Sequence, residues 1–390
     1  MKRILFRLAA TGGLVTAFTV AQLTAIDAAF AAPPDPSGQY IVVLKSSAPA
    51  SGPAAAVTRA RGLGVRVDRE FRQTLNGYVA RLDATQLDAV RSDPDVAYVE
   101  ADQVVRANAT QRRPDWGLDR IDQRDRPLDH KYTYESTGAR VTAYIVDTGI
   151  RTSHQDFGGR ASGGFSSISD GNGTDDCNGH GTHVAGTVGG STYGVAKSVL
   201  LVGVRVLDCN GFGTVSGVIA GVDWITANHA SPAVVNMSLE SNASRALDQA
   251  VRQSINAGLT YSVAAGNGGS DACDFSPARL PRAITVGATT TADSRDISYS
   301  NFGTCVDLFA PGTAVTSDWN TSDSATNTIS GTSMAAPHAT GVAALFLQKH
   351  PGAGPDRVRD AIVNAATPGV LTNVGDGSPN TLLYSRGATF

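Results

Sequence analysis

The sequence predicts an α/β protein with a parallel sheet covered by helices on both faces, preceded by a small α+β, ferredoxin-like unit. Three observations carry the prediction. Beyond Trp116, continuous apolar runs such as 141–146 and 199–206 alternate with helix-like stretches, the pattern of strands buried on both faces. Ahead of them, residues 40–100 read β-α-β-β-α-β, the split βαβ pattern. Between the two, residues 104–114 are polar and carry Arg106, Arg112, Arg113 and Pro114, an exposed linker open to proteolysis.

The chain opens with Met1-Lys2-Arg3 and Arg7, then a short apolar stretch over 8–23 broken by Thr, Gly and Gln, and then Ala29-Phe30-Ala31. This is the order of a cleaved signal peptide over 1–31, and the apolar part is short for a membrane anchor. A Pro-rich linker follows over 33–38. Strands are expected at 40–44, 65–71, 77–82 and 96–100. Helices are expected at 54–62, ending on Gly62, and at 85–91, stopped by Ser92-Asp93-Pro94. A unit of about seventy residues is only marginally stable alone.

In the larger part a strand over 141–146 ends in Asp147, and one over 259–265 runs out into Gly266-Asn267. Further strands are expected at 199–206, 234–237 and 283–286. Helices are expected at 181–189, 217–228, 246–257 and 355–366, and from Ser333 onward. In open parallel sheets chemistry collects at the carboxyl ends of the strands, where Asp147 and Asn267 stand.

Of 390 residues, 42% are hydrophobic and 17% charged, with a formal net charge of −3. That argues for a large core and against a nucleic-acid partner or a disordered chain. Export makes disulfides possible. Cys177, Cys209, Cys273 and Cys305 allow three pairings. Joining sequence neighbours would close two 32-residue steps, each contributing roughly 3–4 kcal/mol in the chain-entropy model.

Three stretches carry chemistry. Asp147 lies in Ile145-Val146-Asp147-Thr148-Gly149, His180 in Asn178-Gly179-His180-Gly181-Thr182-His183, and Ser333 in Gly331-Thr332-Ser333-Met334-Ala335. A serine hydroxyl at a helix mouth needs a base to take its proton, and the base needs a third group to orient it. The serine turn half-matches the nucleophile elbow of lipases. The order along the chain is Asp, His, Ser, however, whereas lipase-like hydrolases run Ser, Asp, His. Cys177, His180 and His183 also form a C-x-x-H-x-x-H run compatible with zinc. His183 and His338 read as packed structural histidines.

With Trp116-Gly117-Leu118-Asp119-Arg120-Ile121-Asp122-Gln123, Arg205-Val206-Leu207-Asp208-Cys209-Asn210-Gly211, Ala264-Ala265-Gly266-Asn267 and Ser298-Tyr299-Ser300-Asn301-Phe302-Gly303, these motifs resemble the subtilisin-like serine proteases, specifically the proteinase K subfamily, over residues 40–390. The resemblance implies a secreted, monomeric serine endopeptidase working through an acyl-enzyme. It implies that Asp147 orients His180, His180 is the general base and Ser333 the nucleophile. Asn267 and the Ser333 N–H would hold the oxyanion.

It implies that a substrate peptide lies as a strand between Gly211-Phe212-Gly213 and Ser238-Leu239-Glu240. Ala264, Ala265 and Gly266 would wall a roomy first pocket of broad, mainly apolar and aromatic preference. The sequence departs from the family at Glu240-Ser241, where relatives carry Gly-Gly. Structural calcium is implied, with no organic cofactor. One site would use the carbonyls of Pro281 and Ala283 with Asp307, and a second Asp119, Asp122, Gln123 and Asp129. The small unit resembles the family's inhibitory propeptide, which assists folding. Ala109-Thr110-Gln111 resembles a mature start, so the expected divisions are 1–31 signal, 32–108 propeptide (folded part about 39–102) and 109–390 peptidase, with no further carboxyl-terminal domain. Two rival readings use the same residues: a non-catalytic calcium-bound scaffold for protein partners, and a secreted esterase.

Overall fold

The strand Thr142–Asp147 is buried along its whole length, and its side chains alternate between two cores. Ala143 and Ile145 pack with the helices His180–Gly189 and Thr332–Lys349. Tyr144 and Val146 pack with Val215–Asn228 and Arg245–Asn256. A strand apolar on both faces can be satisfied only inside a helix-covered parallel sheet, and this one is. The computed structural model describes residues 38–45, 52–71, 75–102 and 109–387. The signal-peptide stretch and Asn108, at the expected processing point, lie outside the described residues.

Among the described residues the large sheet has nine strands. From one edge they are Thr367–Pro368, Thr381–Leu382, Leu308–Pro311, Ile284–Thr289, Thr260–Ala264, Ala233–Met237, Thr142–Asp147, Leu200–Arg205 and Ala161–Ser166. All neighbours run parallel except the short first pair. The chain winds from Thr142–Asp147 to one side, then returns to place Ala233–Met237 on the other. The reversal therefore falls between those two strands, and it opens a crevice at their carboxyl ends.

Each strand and helix expected for the larger part is present within two or three residues at its ends. The Ala161–Ser166 strand has no readable apolar run because it needs Gly163-Gly164. A Cβ on Gly163 would overlap Thr174 Oγ1, and one on Gly164 would press into the Trp224 ring.

The chain divides into two units between Arg106 and Ala107. The smaller has the expected β-α-β-β-α-β order, with an antiparallel sheet ordered Arg66–Phe71, Gly77–Arg81, Gln39–Leu44, Val96–Ala101. Its helix Ala84–Arg91 starts on a capping box in which Asp83 and Gln86 serve each other's backbone N–H. The cysteines pair as sequence neighbours, Cys177 with Cys209 and Cys273 with Cys305.

Candidate active site

Ser333 is the second residue of the helix Thr332–Lys349, which is buried along most of its length. Its backbone N–H belongs to the first turn, where no intrahelical acceptor exists. Pro337, one turn on, has no N–H to give the Ser333 carbonyl. Ser238 Oγ–H donates to that carbonyl instead, at 2.8 Å. The Ser333 hydroxyl donates in turn to the carbonyl of Ser238 at 3.3 Å.

His180 opens the helix His180–Gly189. Its cap, Gly179, has φ +112°, and a Cβ there would overlap the Trp319 ring. The loop before it is tied by Asp176, a residue the sequence reading passed over. One Asp176 oxygen accepts Thr148 Oγ1–H and the N–H groups of Asn178 and Gly179. The other accepts the N–H and hydroxyl of Thr182. An Asp four residues before a helix, followed by Asn-Gly, is a capping-type signal that could have marked it.

Asp147, fully buried at its strand end, accepts His180 Nδ1–H at 2.7 Å and the Thr148 N–H at 2.7 Å on the same oxygen. Burial pulls the imidazole toward the neutral form. The Asp147 charge and hydrogen bond, with Asp176 behind them, outweigh burial, and the His180 pKa lies above its ordinary value. His183 and His338 differ. Burial lowers them to about 3 and about 4, and each ring bonds a backbone carbonyl, of Val315 and Met334 respectively. They are neutral packing residues, as expected.

Asn267 stands just beyond the strand Thr260–Ala264. Its Oδ1 accepts both the N–H and the hydroxyl of Thr332 at 2.9 Å, which fixes the amide so that Nδ2 is the unspent end. A side chain on Gly331 would come 3.7 Å from Asn267 Nδ2 and 3.7 Å from the Ser333 N, so both donors border one small open space.

His180, Asn267 and Ser333 line a cleft of about 550 Å³, with Asp147 buried behind His180. Gly211, Phe212 and Gly213 form one side. Ser238, Leu239 and Glu240 form the other, and Ala264, Gly266 and Asn267 close the end beside Ser333. Ala265 does not join them. Side chains alternate along a strand, and Ala265 faces the core with Ala272, Val306 and Phe309. The Cys177–Cys209 bond ties the His180 loop to the Gly211 loop. Buried Arg205 braces it, donating to Cys177 Sγ and pairing with Asp170 at 2.6 Å.

The zinc reading fails on geometry. Cys177 is spent in its disulfide, His180 turns to Asp147, and His183 turns to Val315. Among the described residues the one convergence of three possible ligands is Asp170, Cys177 and Cys209, which Arg205 and the disulfide already occupy.

For calcium the two expected sites differ. Asp307 accepts the Thr285 N–H at 2.8 Å on one oxygen and pairs with the Arg359 guanidinium through the other. An ion there would have to displace a cation, so the Pro281, Ala283 and Asp307 set does not fit as it stands. Asp119 and Asp122 do fit. Each is almost fully buried and keeps one oxygen with no hydrogen-bond partner, and burial pushes Asp122 up to about 6. A buried carboxylate oxygen left without a donor suits a cation. Gln123 is already bonded to the backbone at Asp125, Pro127 and Asp129, and Asp129 pairs with Lys131.

A carboxylate, an imidazole and a helix-mouth serine at the switch point of a parallel sheet define the class: an α/β serine hydrolase. The comparisons make it particular. The Subtilase family model matches residues 138–383 and the Peptidase inhibitor I9 model residues 39–108. The chain belongs to the subtilase family and is a subtilisin-like serine protease with an inhibitor-type amino-terminal domain. It is similar to an extracellular serine proteinase of Thermus sp. (strain Rt41A), 56% identical over 367 residues, 89% of each chain. It is also similar to the alkaline serine exoprotease A of Vibrio alginolyticus, 50% identical over 84% of this chain and 62% of that protein. A solved cold adapted subtilisin-like serine proteinase matches with a TM-score of 0.68 and 52% identity, over 70% of this chain and 99% of that one.

Proposed function

We propose that the chain is a secreted serine endopeptidase, made as a self-processing zymogen. The observation that carries this is the His180–Asp147 bond at 2.7 Å, in the same cleft as a helix-mouth serine and an amide turned donor-first. Ser333 Oγ attacks the peptide carbonyl carbon while His180 Nε2 takes its proton. Asp147 holds Nδ1–H and stabilises the imidazolium. Asn267 Nδ2 and the Ser333 N–H receive the developing oxyanion. His180 then protonates the leaving amine, and water repeats the sequence on the acyl-enzyme. The Ser333 hydroxyl rests on Ser238 in the free enzyme, and a side-chain rotation, fast on the scale of turnover, brings it to His180.

The substrate lies as a strand between the Gly211 and Ser238 segments. Leu239, Ala264 and Gly266 leave room for an apolar or aromatic side chain in the first pocket. Residues 1–31 direct export, a reading supported by the extracellular relative. Among the described residues no helix is long and apolar enough to cross a membrane. Residues 32–108 act as inhibitor and folding aid, and cleavage near Asn108–Ala109 releases a peptidase of 109–390. Calcium at Asp119 and Asp122 would neutralise two buried carboxylates and stabilise the fold, with no part in the reaction. One chain holds the complete set, so the reading needs no second copy.

Casein hydrolysis by the secreted protein, abolished in Ser333→Ala, is the expected result. No hydrolysis by the mature wild type would leave the scaffold reading standing, and turnover of small esters without long peptides would leave the esterase.

A further inference from the structure

Glu240 reaches over the first pocket to the segment after the neighbouring strand. It leaves the wall formed by Ser238, Leu239 and Glu240, and its Oε2 accepts the backbone N–H of Asn267, at the end of the cleft beside Ser333, at 3.1 Å. It comes so near Gly266 that a Cβ there would overlap the same oxygen. The carboxylate thus lies over the pocket that Leu239, Ala264 and Gly266 wall, next to Ser333. Among the described residues no other acidic side chain and no Lys or Arg lines this cleft. Its one hydrogen bond among the described residues comes from a neutral amide, so its charge is not balanced by the protein.

We infer that Glu240 adds a charge preference to this apolar pocket, so that on the acyl side of the cut bond lysine and arginine are favoured over neutral residues of similar length and acidic residues are rejected. The inference rests on the reading of this cleft as the peptide-cleaving site. A long basic side chain suits both parts of the pocket. Its methylenes cover the apolar walls of Leu239 and Ala264, and its cation ends at the carboxylate. A neutral chain of similar length gains only the first contact. An acidic chain meets a like charge with no cation to relieve it. The carboxylate is partly screened because it is solvent-exposed, so the preference is graded rather than absolute, about two- to fivefold, and weakens with salt.

The test is a set of internally quenched peptides that differ only at that residue, Lys, Met, Gln or Glu, cleaved by the mature wild type and by Glu240→Gln. The wild type is expected to show a higher kcat/KM for Lys than for Met. In E240Q the Lys:Met ratio falls about two- to fivefold and the Glu:Gln ratio rises. Equal Lys:Met ratios in the two enzymes overturn the inference. Wild-type cleavage of the Met peptide alone sustains the endopeptidase reading when this inference fails, and cleavage of none of the four defeats that reading itself. Because E240Q could be poorly produced, the wild type is also assayed from low to high salt. A Lys:Met ratio that does not fall with salt counts against Glu240 in the same way.

Discussion

Ser238 and Ser333 are bonded twice: the Ser238 hydroxyl donates to the Ser333 carbonyl at 2.8 Å, and the Ser333 hydroxyl donates to the Ser238 carbonyl at 3.3 Å. The first bond exists because Pro337 leaves that carbonyl without a helical donor. The pair locks the first turn of the serine helix to the strand end at Met237. Ser238→Ala removes the donor and keeps the shape. It is expected to cost about 1–2 kcal/mol of stability and to lower kcat several-fold through looser placement of Ser333. Denaturant unfolding in a Ser333→Ala background, where self-digestion is absent, measures the first. Active-site titration alongside turnover measures the second, and a fall in titratable sites with unchanged kcat would contradict it.

Activity should follow the charge on His180. As the proposed base, His180 works only when neutral, and its pKa lies above the ordinary ~6.5. The kcat/KM profile therefore rises with pH through a value above that figure. Asp147→Asn removes the attraction that raises it, so the rising limb moves to lower pH while kcat falls by roughly 10⁴. A wild-type profile that peaks in acid would refute the role given to His180.

The residues proposed for catalysis are legible because each sits in a short glycine-bearing motif at a strand or helix end. What surrounds them is not. Asp176 acts through Thr148 and Thr182, partners brought near only by folding. Arg205 reads as a charge ending an apolar strand, yet it is fully buried because Asp170 comes to meet it. Asp307 was readable as an oxygen ligand, but Arg359, fifty-two positions on, was not readable as the cation already there. Glu240 stood out as a departure, and only the fold shows which way it points. The sheet was legible where strands are apolar on both faces and obscure at 161–166, where close packing by Thr174 and Trp224 demands glycine.

Chelation should separate stability from rate. With calcium between Asp119 and Asp122, EDTA shortens the thermal half-life while the initial rate at low temperature is unchanged at first, since both residues lie outside the cleft. The Asp119→Asn, Asp122→Asn double variant should no longer respond to chelator. Inactivation time courses with and without EDTA decide the matter, and an equal response from the double variant would place the ion elsewhere.

Asp318 predicts an unusual pH dependence of stability. It is fully buried, and neither oxygen accepts a hydrogen bond among the described residues. Asp156 lies beside it. The His154 Nδ1 is 3.5 Å from one oxygen, and Arg160 is the one cation that opposes the shift. Burial first, and then the Asp156 charge, push the Asp318 carboxyl up to about 8. In the unfolded chain it ionises near 3.8. Between those values the folded state holds a proton that the unfolded state has lost, so this group makes stability fall as pH rises from about 4 to about 8 and level off above. Asp318→Asn keeps the shape and a donor toward Asp156 but cannot ionise. In a Ser333→Ala background it should match the parent near pH 4 and exceed it increasingly up to pH 8, read from guanidinium unfolding at stepped pH. Parallel curves across that window would show that the proton is not held on Asp318.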